Sequence, residues 1–276
     1  FYGMSVPRAA WEGVFHAISA FNNAGFGLRS DSLISYNTDG WILIPLAGAL
    51  MIGGLGYPVL SELVRRGDVL IENFRPGVLD RLGFDEFWCG EHHSSGWETI
   101  ASPELFLAAA GERTKRIRLG TGVVSLPYHH PFTTAQRIVQ LDHMTGGRVI
   151  FGTGPGALPS DAKMFGIDQM LLRDRQDEAL GVILRLLSGE RFTVKSDWFQ
   201  INDGMLQILP LQEKLPMAAA SSISPSGMQL AGKYGMGALS IASTSSEGLD
   251  ALPLQWSFAE EAARKHGKTV DRRDWR

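Results

Sequence analysis

A long uncharged stretch in the first quarter of this chain limits what that part can fold into. The 22 residues Gly40–Ser61 carry no formal charge, and roughly 20 predominantly apolar residues are enough to cross a bilayer as a helix. The stretch is rich in Gly and contains Pro45 and Pro58, two residue types that membrane helices carry more often than soluble helices. It therefore predicts a membrane-type helix at residues 40–61 that contacts the bilayer, and a buried helix of a large soluble domain is the alternative.

A Gly- and Asn-rich loop precedes this stretch, and residues 16–28 read HAISAFNNAGFGL. Backbone carbonyls can replace the water around an ion only where the chain is extended and lacks bulky side chains, and Gly25 supplies that freedom. Together with MIGGLGYPVL at residues 51–60, the loop resembles one repeat of the Trk/Ktr-type potassium transporters over residues 1–63. The resemblance implies a filter loop at residues 20–26, so a potassium-transporter fragment is one candidate function, although that family surrounds its ion with four repeats.

The string GDVLIENFRPGVLDRLGF at residues 67–84 separates this region from the rest of the chain. An apolar run at Val69–Ile71, a turn at Arg75-Pro76-Gly77 and the leucines that follow predict a strand–turn–helix connector. The string also resembles a segment of the family III CoA-transferases that helps to hold CoA. The region with that family's aspartate nucleophile has no counterpart here, so this resemblance implies no activity.

Composition gives broad limits on location and partners. The chain has 276 residues and a net charge of −3, which gives no bias toward nucleic acid. Cys89 is the single cysteine, so no internal disulfide can form. Because no cleavable signal sequence is evident either, we expect a reducing, cytoplasmic location for residues 84–276.

From Phe84 onward, short apolar runs alternate with amphipathic stretches of helical period. The runs predict five strands, at residues 84–92, 117–125, 148–154, 216–221 and 237–242. The stretches between and after them predict helices at residues 103–114, 132–145, 173–189, 225–235 and 249–267. This order is typical of a parallel sheet with helices outside it, either a (β/α) barrel, which needs eight strands, or a doubly wound sheet. Residues 192–208 predict an inserted β-hairpin with its turn at Asn202-Asp203-Gly204.

In both architectures the functional groups gather at the carboxyl ends of the strands. Glycines end the second and third predicted strands, at residues 120–122 and 152–156, and glycine lets a flat ring approach the backbone. The fourth strand is followed by Ser224-Pro225-Ser226-Gly227 at a helix start, where free N–H groups and hydroxyls suit a phosphate. Together these features predict a planar, phosphorylated cofactor.

Histidine pairs stand at residues 92–93, after the first predicted strand, and at residues 129–130. No H-E-x-x-H motif and no Cys-His combination with zinc-ligand spacing accompanies them, so we expect no metal site. Adjacent residues on a strand face opposite sides. Only one of His92 and His93 can therefore face the site.

Three strings resemble the bacterial luciferase-like flavin monooxygenases over residues 83–276, namely GFDEFWCGEHHSSGW, DHMTGGRVIFGTGPG and SISPSGMQLAGKYG. The resemblance implies an α/β fold, an incomplete (β/α)8 TIM barrel with about five or six of the eight strands. It implies reduced FMN as cofactor and O2 as co-substrate, which form a flavin hydroperoxide that inserts one oxygen atom into a small organic substrate. A separate NAD(P)H-flavin reductase is then an expected partner, with a homodimer as one option. Some members use a deazaflavin and act as dehydrogenases, and this alternative stays open.

The resemblance also implies roles for single residues. His92 would be the catalytic acid, base or stabiliser beside the reacting edge of the flavin. The cofactor contacts would come from Gly122 and Val123 at a strand bulge, Gly154 beneath the ring, and Ser224, Ser226 and Gly227 at the phosphate. Pro155 stands where bacterial luciferase has an arginine for the phosphate, so backbone dipoles or Lys and Arg side chains elsewhere would neutralise that charge.

Partial resemblances to three families divide the chain into a transporter-like region at residues 1–63, a connector at 64–83 and a monooxygenase domain truncated at both ends at 84–276. These joints fall inside domains, whereas natural fusions join whole domains at exposed linkers. An inactive composite chain is therefore a further hypothesis. Under it, strands 1, 7 and 8 of the barrel have no counterpart, and the exposed sheet edges disfavour solubility.

Overall fold

The computed structural model describes part of the chain, and its two compact units are residues 1–67 and 68–276. The described residues are 5, 7–8, 11–14, 70–71, 76–95, 99–241 and 246–276. Within the first unit, residues 11–14 are helical and Arg8 forms an ion pair with Glu12 at 3.1 Å. The predicted filter loop at 20–26 and the uncharged stretch at 40–61 lie outside the described residues. Where the structure is described, none of its helices has the length and apolar character needed to span a bilayer.

The second unit is built around a parallel sheet. Its described residues form nine strands, which are β1 Leu70–Ile71, β2 Glu86–Cys89, β3 Arg118–Thr121, β4 Val124–Ser125, β5 Val149–Gly154, β6 Phe192–Lys195, β7 Gln200–Gly204, β8 Met217–Ser221 and β9 Gly237–Ser240. The main sheet has the order β1-β2-β3-β5-β8-β9, with β4 beside β5, and all of its pairs are parallel. β6 and β7 form a separate antiparallel hairpin.

Helices connect the strands of the main sheet. In the described part of this unit they are α1 Pro76–Leu82, α2 Pro103–Arg113, α3 Pro131–Met144, α4 Pro159–Met164, α5 Leu172–Leu187, α6 Ser226–Tyr234 and α7 Ser246–Lys265. Pro103, Pro131 and Pro159 each stand in the first turn of their helix, where the missing N–H breaks no helical hydrogen bond. Gly235 follows the last residue of α6, and its φ of 66° lies in the left-handed region that favours glycine.

The sheet curls around an interior. A Cβ placed on Gly122, directly after β3, would lie 3.6 Å from Leu239 Cδ2 on β9, although β5 and β8 lie between these two strands. In a flat sheet, strands three positions apart are separated by roughly 14 Å. The sheet therefore curves like the wall of a half-barrel, which confirms the predicted α/β class with a parallel sheet.

Each of the five predicted strands and five predicted helices overlaps an observed element. The predicted strand 117–125 is divided into β3 and β4 at Gly122-Val123, whose peptide bond is cis. The 67–84 string forms β1 and α1, as its strand–turn–helix pattern predicts. β1 pairs in parallel with β2 at one edge of the main sheet. The six-residue helix α4 escapes prediction because it is too short to show a helical period.

The inserted hairpin is present, but its predicted turn is wrong. β6 and β7 are joined by the loop 196–199, which is closed by a 2.9 Å hydrogen bond from the Ser196 N–H to the Phe199 carbonyl. Residues 202–204 lie on β7 instead, where Asp203 has a φ of 48° and the register is irregular. The Asn-Asp-Gly string thus marks a bulge, which requires the same conformational freedom as a tight turn.

Trp88 fills the interior of the curved sheet. Its side chain is fully buried and clusters with Ile150, Ala218 and Leu239 from β5, β8 and β9. A Cβ on Gly120 of the neighbouring strand β3 would overlap the indole ring. The indole therefore needs a glycine beside it, and it forms an apolar floor inside the sheet.

A largely buried ion pair joins Glu86 on β2 to Arg276. Arg276 Nε lies 2.9 Å from each carboxylate oxygen of Glu86 on β2, and the Arg276 N–H donates to the Ala238 carbonyl on β9 at 2.8 Å. The indole N–H of Trp88 donates to the same Glu86 carboxylate at 3.0 Å. These contacts provide hydrogen-bond partners for the Glu86 carboxylate and the Trp88 indole N–H. They also connect β2 with Arg276, which lies beside β9.

Asp80 in α1 holds the loop that leads into β3. Its carboxylate accepts the backbone N–H groups of Lys115, Arg116 and Ile117 at 3.0, 2.9 and 2.7 Å. Burial alone would raise the pKa of Asp80, but these hydrogen bonds outweigh it, so the pKa is lowered. The ionised carboxylate therefore stabilises the fold.

We expect Asp80→Asn to lower the free energy of unfolding at neutral pH by about 1 kcal/mol, because an amide oxygen accepts these N–H groups less strongly than a carboxylate. The stabilisation from a lowered folded-state pKa is present above the unfolded-state value of about 3.9 and is lost as the pH falls through the folded-state value. The variant should therefore lose less stability on acidification than the wild type. Urea unfolding at neutral pH and at about pH 3 measures both effects. Asp203→Asn is the control because Asp203 is exposed, and identical pH dependence in Asp80→Asn and the wild type would contradict the prediction.

Candidate functional site

The loop after β2 carries His92, which faces a buried carboxylate. Asp161 in α4 has its Oδ2 atom 3.4 Å from His92 Nδ1 and its Oδ1 atom 3.3 Å from the His93 backbone nitrogen, and the Ser94 hydroxyl also donates to Oδ1. Burial alone would raise the pKa of Asp161, but the hydrogen bonds from Ser94, His93 and His92 outweigh it, so the pKa is lowered. An anionic Asp161 thus anchors this loop to α4.

Glu91 is buried and contacts two further histidines. Its Oε1 atom lies 2.8 Å from His93 Nε2 and 2.8 Å from His129 Nε2, while its Oε2 atom accepts the Ser125 N–H at 2.8 Å. Ser125 pairs with Gly154 in the sheet. One carboxylate therefore joins the ends of β2, β4 and β5, and the adjacent residues His92 and His93 face different carboxylates.

Small residues line the carboxyl ends of the central strands. A Cβ on Gly154 would overlap Val123 Cγ2 and would lie 3.6 Å from Ala220 Cβ, and a Cβ on Gly122 would lie 3.2 Å from Trp88 Cβ. The ends of β3, β5 and β8 therefore converge above the Trp88 floor. Side chains there are absent or small, so the strand ends pack closely together.

The start of α6 carries two hydroxyls and faces a cation. Ser224 Oγ and Ser226 Oγ lie 2.9 Å apart, and Arg173 Nη2 in α5 donates to Ser224 Oγ at 3.3 Å. A Cβ on Gly227 would overlap the Ala220 carbonyl oxygen, so only glycine allows α6 to begin this close to β8. The free N–H groups of the first helical turn add positive potential. We call Arg173, Ser224 and Ser226 the anion group.

A cleft of about 1060 Å³ opens beside the anion group. Its lining includes Pro155, Gly156, Ala157, Arg173, Gln176, Ser224, Ser226 and Gly227. Gln176 is buried, and its Nε2 atom has no hydrogen-bond partner among the described residues. A buried donor without a partner costs about 1–3 kcal/mol, and an acceptor atom of a ligand in the cleft would remove that cost.

An aromatic pair stands next to the histidines. The rings of Tyr128 and Phe165 stack at 4.6 Å, and His93 meets Phe165 edge-on at 4.7 Å. The Tyr128 hydroxyl is buried and lacks a partner in the part of the chain that the structure describes. Burial, together with the charges of Asp161 and Glu91, raises the pKa of Tyr128 to about 12. This pair is thus an uncharged, largely apolar wall at neutral pH.

The structure gathers the sequence-predicted site residues into two groups. Gly122, Val123 and Gly154 lie at the converging strand ends, close to the His92 loop, since a Cβ on Gly90 in that loop would lie 3.1 Å from the Gly122 carbonyl oxygen. Ser224, Ser226 and Gly227 lie together at the start of α6. The loop after Gly154 connects the two groups because its Pro155 and Gly156 line the same cleft as Ser224, whereas His92 does not line that cleft.

Several contributors to these groups were not predicted from the sequence. They are Glu91, Asp161, Arg173 and Gln176. Asp161 lies 69 residues from its partner His92, and Arg173 lies 51 residues from its partner Ser224. No local sequence motif can therefore contain both residues of either pair. One signal in the sequence was usable, because the resemblance implies that Lys or Arg side chains elsewhere replace the arginine for which Pro155 stands. No group of three or more potential metal ligands occurs among the described side chains.

Comparison with protein families gives two matches. Residues 78–272 match the model for luciferase-like monooxygenases. Residues 3–86 match the model for a cation transport protein, and most of these residues lie outside the described part of the chain.

Similar proteins are found among curated sequences. The chain is 56% identical over 198 residues to limonene 1,2-monooxygenase of Rhodococcus erythropolis. It is 54% identical over 202 residues to 4-hydroxyprotoasukamycin monooxygenase of Streptomyces nodosus subsp. asukaensis. Both alignments cover 72% of this chain, but only 51% and 54% of the relatives. The chain thus spans about half the length of the curated relatives it matches.

A solved structure shows the same fold. It is the oxygenating constituent of 3,6-diketocamphane monooxygenase from Pseudomonas putida, a type II Baeyer–Villiger monooxygenase in complex with FMN. The TM-score is 0.64 and the sequence identity is 31%, over 72% of this chain and 58% of that chain.

Proposed function

This chain belongs to the luciferase-like monooxygenase family, whose model matches residues 78–272, and from this premise we propose that it is an FMN-dependent monooxygenase. In this proposal one atom of O2 enters a small organic substrate. The observation that carries the proposal is the anion group at the start of α6, which shares a cleft with the loop after the glycine-lined end of β5. The curved parallel sheet supports a (β/α)8 barrel as the architecture to which this site belongs.

The donors of the anion group fit the phosphate of FMN. Arg173 supplies a guanidinium, and Ser224 and Ser226 supply hydroxyls beside the free N–H groups of a helix start, a combination that suits a phosphate dianion. Gln176 adds a buried amide donor that lacks an acceptor among the described residues. A phosphate or ribityl oxygen would provide that acceptor. In this proposal Arg173 neutralises the charge of the FMN phosphate, because Pro155 stands where bacterial luciferase has an arginine for that purpose.

The strand ends fit the flavin ring. Gly122, Val123 and Gly154 would contact it, with the Trp88 floor below them. A side chain at position 154 would overlap Val123 Cγ2, so glycine at this position lets Val123 pack directly against β5. We therefore propose that these residues orient the ring and exclude water from one of its faces.

Bound FMN would supply the electrons and the reaction with O2, and the residues of this chain would bind, orient and handle protons. His92 would accept a proton at Nε2 and then return it, because its Nδ1 atom faces Asp161. Glu91 binds His93 and His129, which keeps His93 away from this task. Tyr128 and Phe165 would exclude water next to the reacting groups.

The proposal includes two partners. The first is a small organic substrate, as the names limonene and diketocamphane indicate for the relatives. The second is a separate NAD(P)H-flavin reductase, because FMN must be reduced before O2 can react. The GTGPG string at residues 152–156 is not a dinucleotide-binding G-x-G-x-x-G motif.

Titration of the full chain with FMN and with riboflavin tests the proposal. We expect the chain to quench the fluorescence of both flavins and to bind FMN roughly 10- to 100-fold more tightly, because only FMN carries the phosphate for the anion group. Added salt should reduce this difference, since it screens the exposed part of the interaction.

Each failure of this titration has a separate meaning. Equal affinity for FMN and riboflavin would contradict the phosphate assignment, and the absence of quenching in both titrations would contradict flavin binding. A chain that binds a deazaflavin but not FMN would favour the dehydrogenase alternative.

The match of residues 3–86 to a cation transport protein favours a second candidate function for the first region of the chain. We propose that this region corresponds to one repeat of a potassium transporter and that the chain is a composite. Sedimentation of the full chain with neutral lipid vesicles tests this idea. A chain that stays in the supernatant would contradict it.

A further inference from the structure

We infer that Asp161 is a positioning residue, which holds the proton of His92 on Nδ1 and thereby leaves the lone pair of the neutral ring on Nε2. The effect of Asp161 on turnover rests on the proposed function. The contact between Asp161 and His92 does not depend on the proposed function, because it involves protein atoms alone.

The Asp161 carboxylate is well placed to hold the His92 ring. It is buried, with an exposure of 2%, and it meets the loop at His92, His93 and Ser94. The Ser94 hydroxyl is in turn 2.6 Å from the Ser160 hydroxyl. The His92 backbone is held separately, since its N–H donates to the Ile100 carbonyl at 3.0 Å. Both the backbone and the ring of His92 are thus restrained.

The chemistry of a carboxylate determines the tautomer of the histidine it contacts. An ionised carboxylate can only accept hydrogen bonds, and a neutral imidazole carries one proton on one of its two nitrogens. The nitrogen that faces the carboxylate must therefore be the protonated one. For His92 this nitrogen is Nδ1, which leaves the lone pair on Nε2.

The neighbouring histidine provides an internal contrast. His93 presents Nε2, not Nδ1, to its carboxylate Glu91, and His129 does the same. Two adjacent histidines are therefore held in opposite tautomers by two different carboxylates. The structure assigns a basic Nε2 atom to His92 and a protonated Nε2 atom to His93 and His129.

Nitrogen-15 NMR of the full chain with labelled histidines tests this assignment directly, at a pH where the rings are neutral. The His92 signals are identified by their loss in His92→Gln. We expect the wild type to show a protonated Nδ1 in His92. We expect Asp161→Asn to shift His92 toward the Nε2-protonated form, because the new amide group can donate to Nδ1. Turnover should fall by roughly 10- to 100-fold, a part of what general acid–base catalysis contributes, while FMN affinity changes by less than about twofold.

Asp80→Asn is the matched control because it also removes a carboxylate that accepts backbone N–H groups but contacts no histidine. It should leave the His92 tautomer and turnover unchanged. An unchanged His92 spectrum in Asp161→Asn would overturn the inference, as would an equal loss of turnover in Asp80→Asn. A wild type with the Nδ1-protonated form that fails to bind FMN would support the positioning of His92 and contradict the proposed function.

Discussion

Replacing His92 with alanine should remove most oxygenation and leave FMN binding nearly intact. General acid–base catalysis by a positioned side chain contributes typically 10²- to 10⁴-fold, so turnover should fall by roughly that factor. The residues proposed for the phosphate lie at α5 and α6, in a cleft that His92 does not line. Product formation with a panel of small cyclic alkenes and ketones measures turnover, and fluorescence titration measures FMN affinity.

His143→Ala is the control for this experiment. His143 is exposed on α3, and its Nε2 atom bonds the Leu209 carbonyl at 2.9 Å, so its loss should not change turnover. Full turnover in His92→Ala would assign the proton-handling role to another residue. A strong loss of FMN affinity in the same variant would instead make His92 a cofactor-binding residue.

Much of the fold is predictable because its elements carry local signals. α5 is an example, since apolar residues return every three or four positions from Ala179 to Leu186 and become its buried face. β5 is a short apolar run between two turns, and it is buried along its whole length. The failures are elements without such a signal, namely the six-residue helix α4 and the bulge at Asp203.

The site is predictable only in part. The sequence reveals the glycines at 122 and 154 and the Ser224-Pro225-Ser226-Gly227 string. At each of these positions the backbone itself restricts the residue type. Asp161 and Arg173 are not visible, because their roles depend on partners brought near by the curvature of the sheet and the packing of α4 and α5. A single aspartate or arginine in a helix is otherwise indistinguishable from a solvated surface charge.

Reversing the charge at Arg173 should therefore have a large and selective effect. Arg173→Glu places a carboxylate beside Ser224, where a guanidinium now donates to the hydroxyl at 3.3 Å. Like charges in contact repel by several kcal/mol, so we expect FMN affinity at low salt to fall by about 100-fold. Riboflavin has no phosphate, so its affinity should change by less than about threefold.

Arg175→Glu is the control that tests whether the position of the reversed charge matters. Arg175 lies two residues further along α5, and its guanidinium stacks over Trp198 with 5.2 Å to the ring centroid, away from the anion group. The net charge change of the protein is the same in both variants, so long-range electrostatics affect both equally. A loss of FMN affinity confined to Arg173→Glu would therefore reflect a local contact with the phosphate. Equal losses in the two variants, or equal losses for FMN and riboflavin in Arg173→Glu, would mean that the phosphate does not bind at the start of α6.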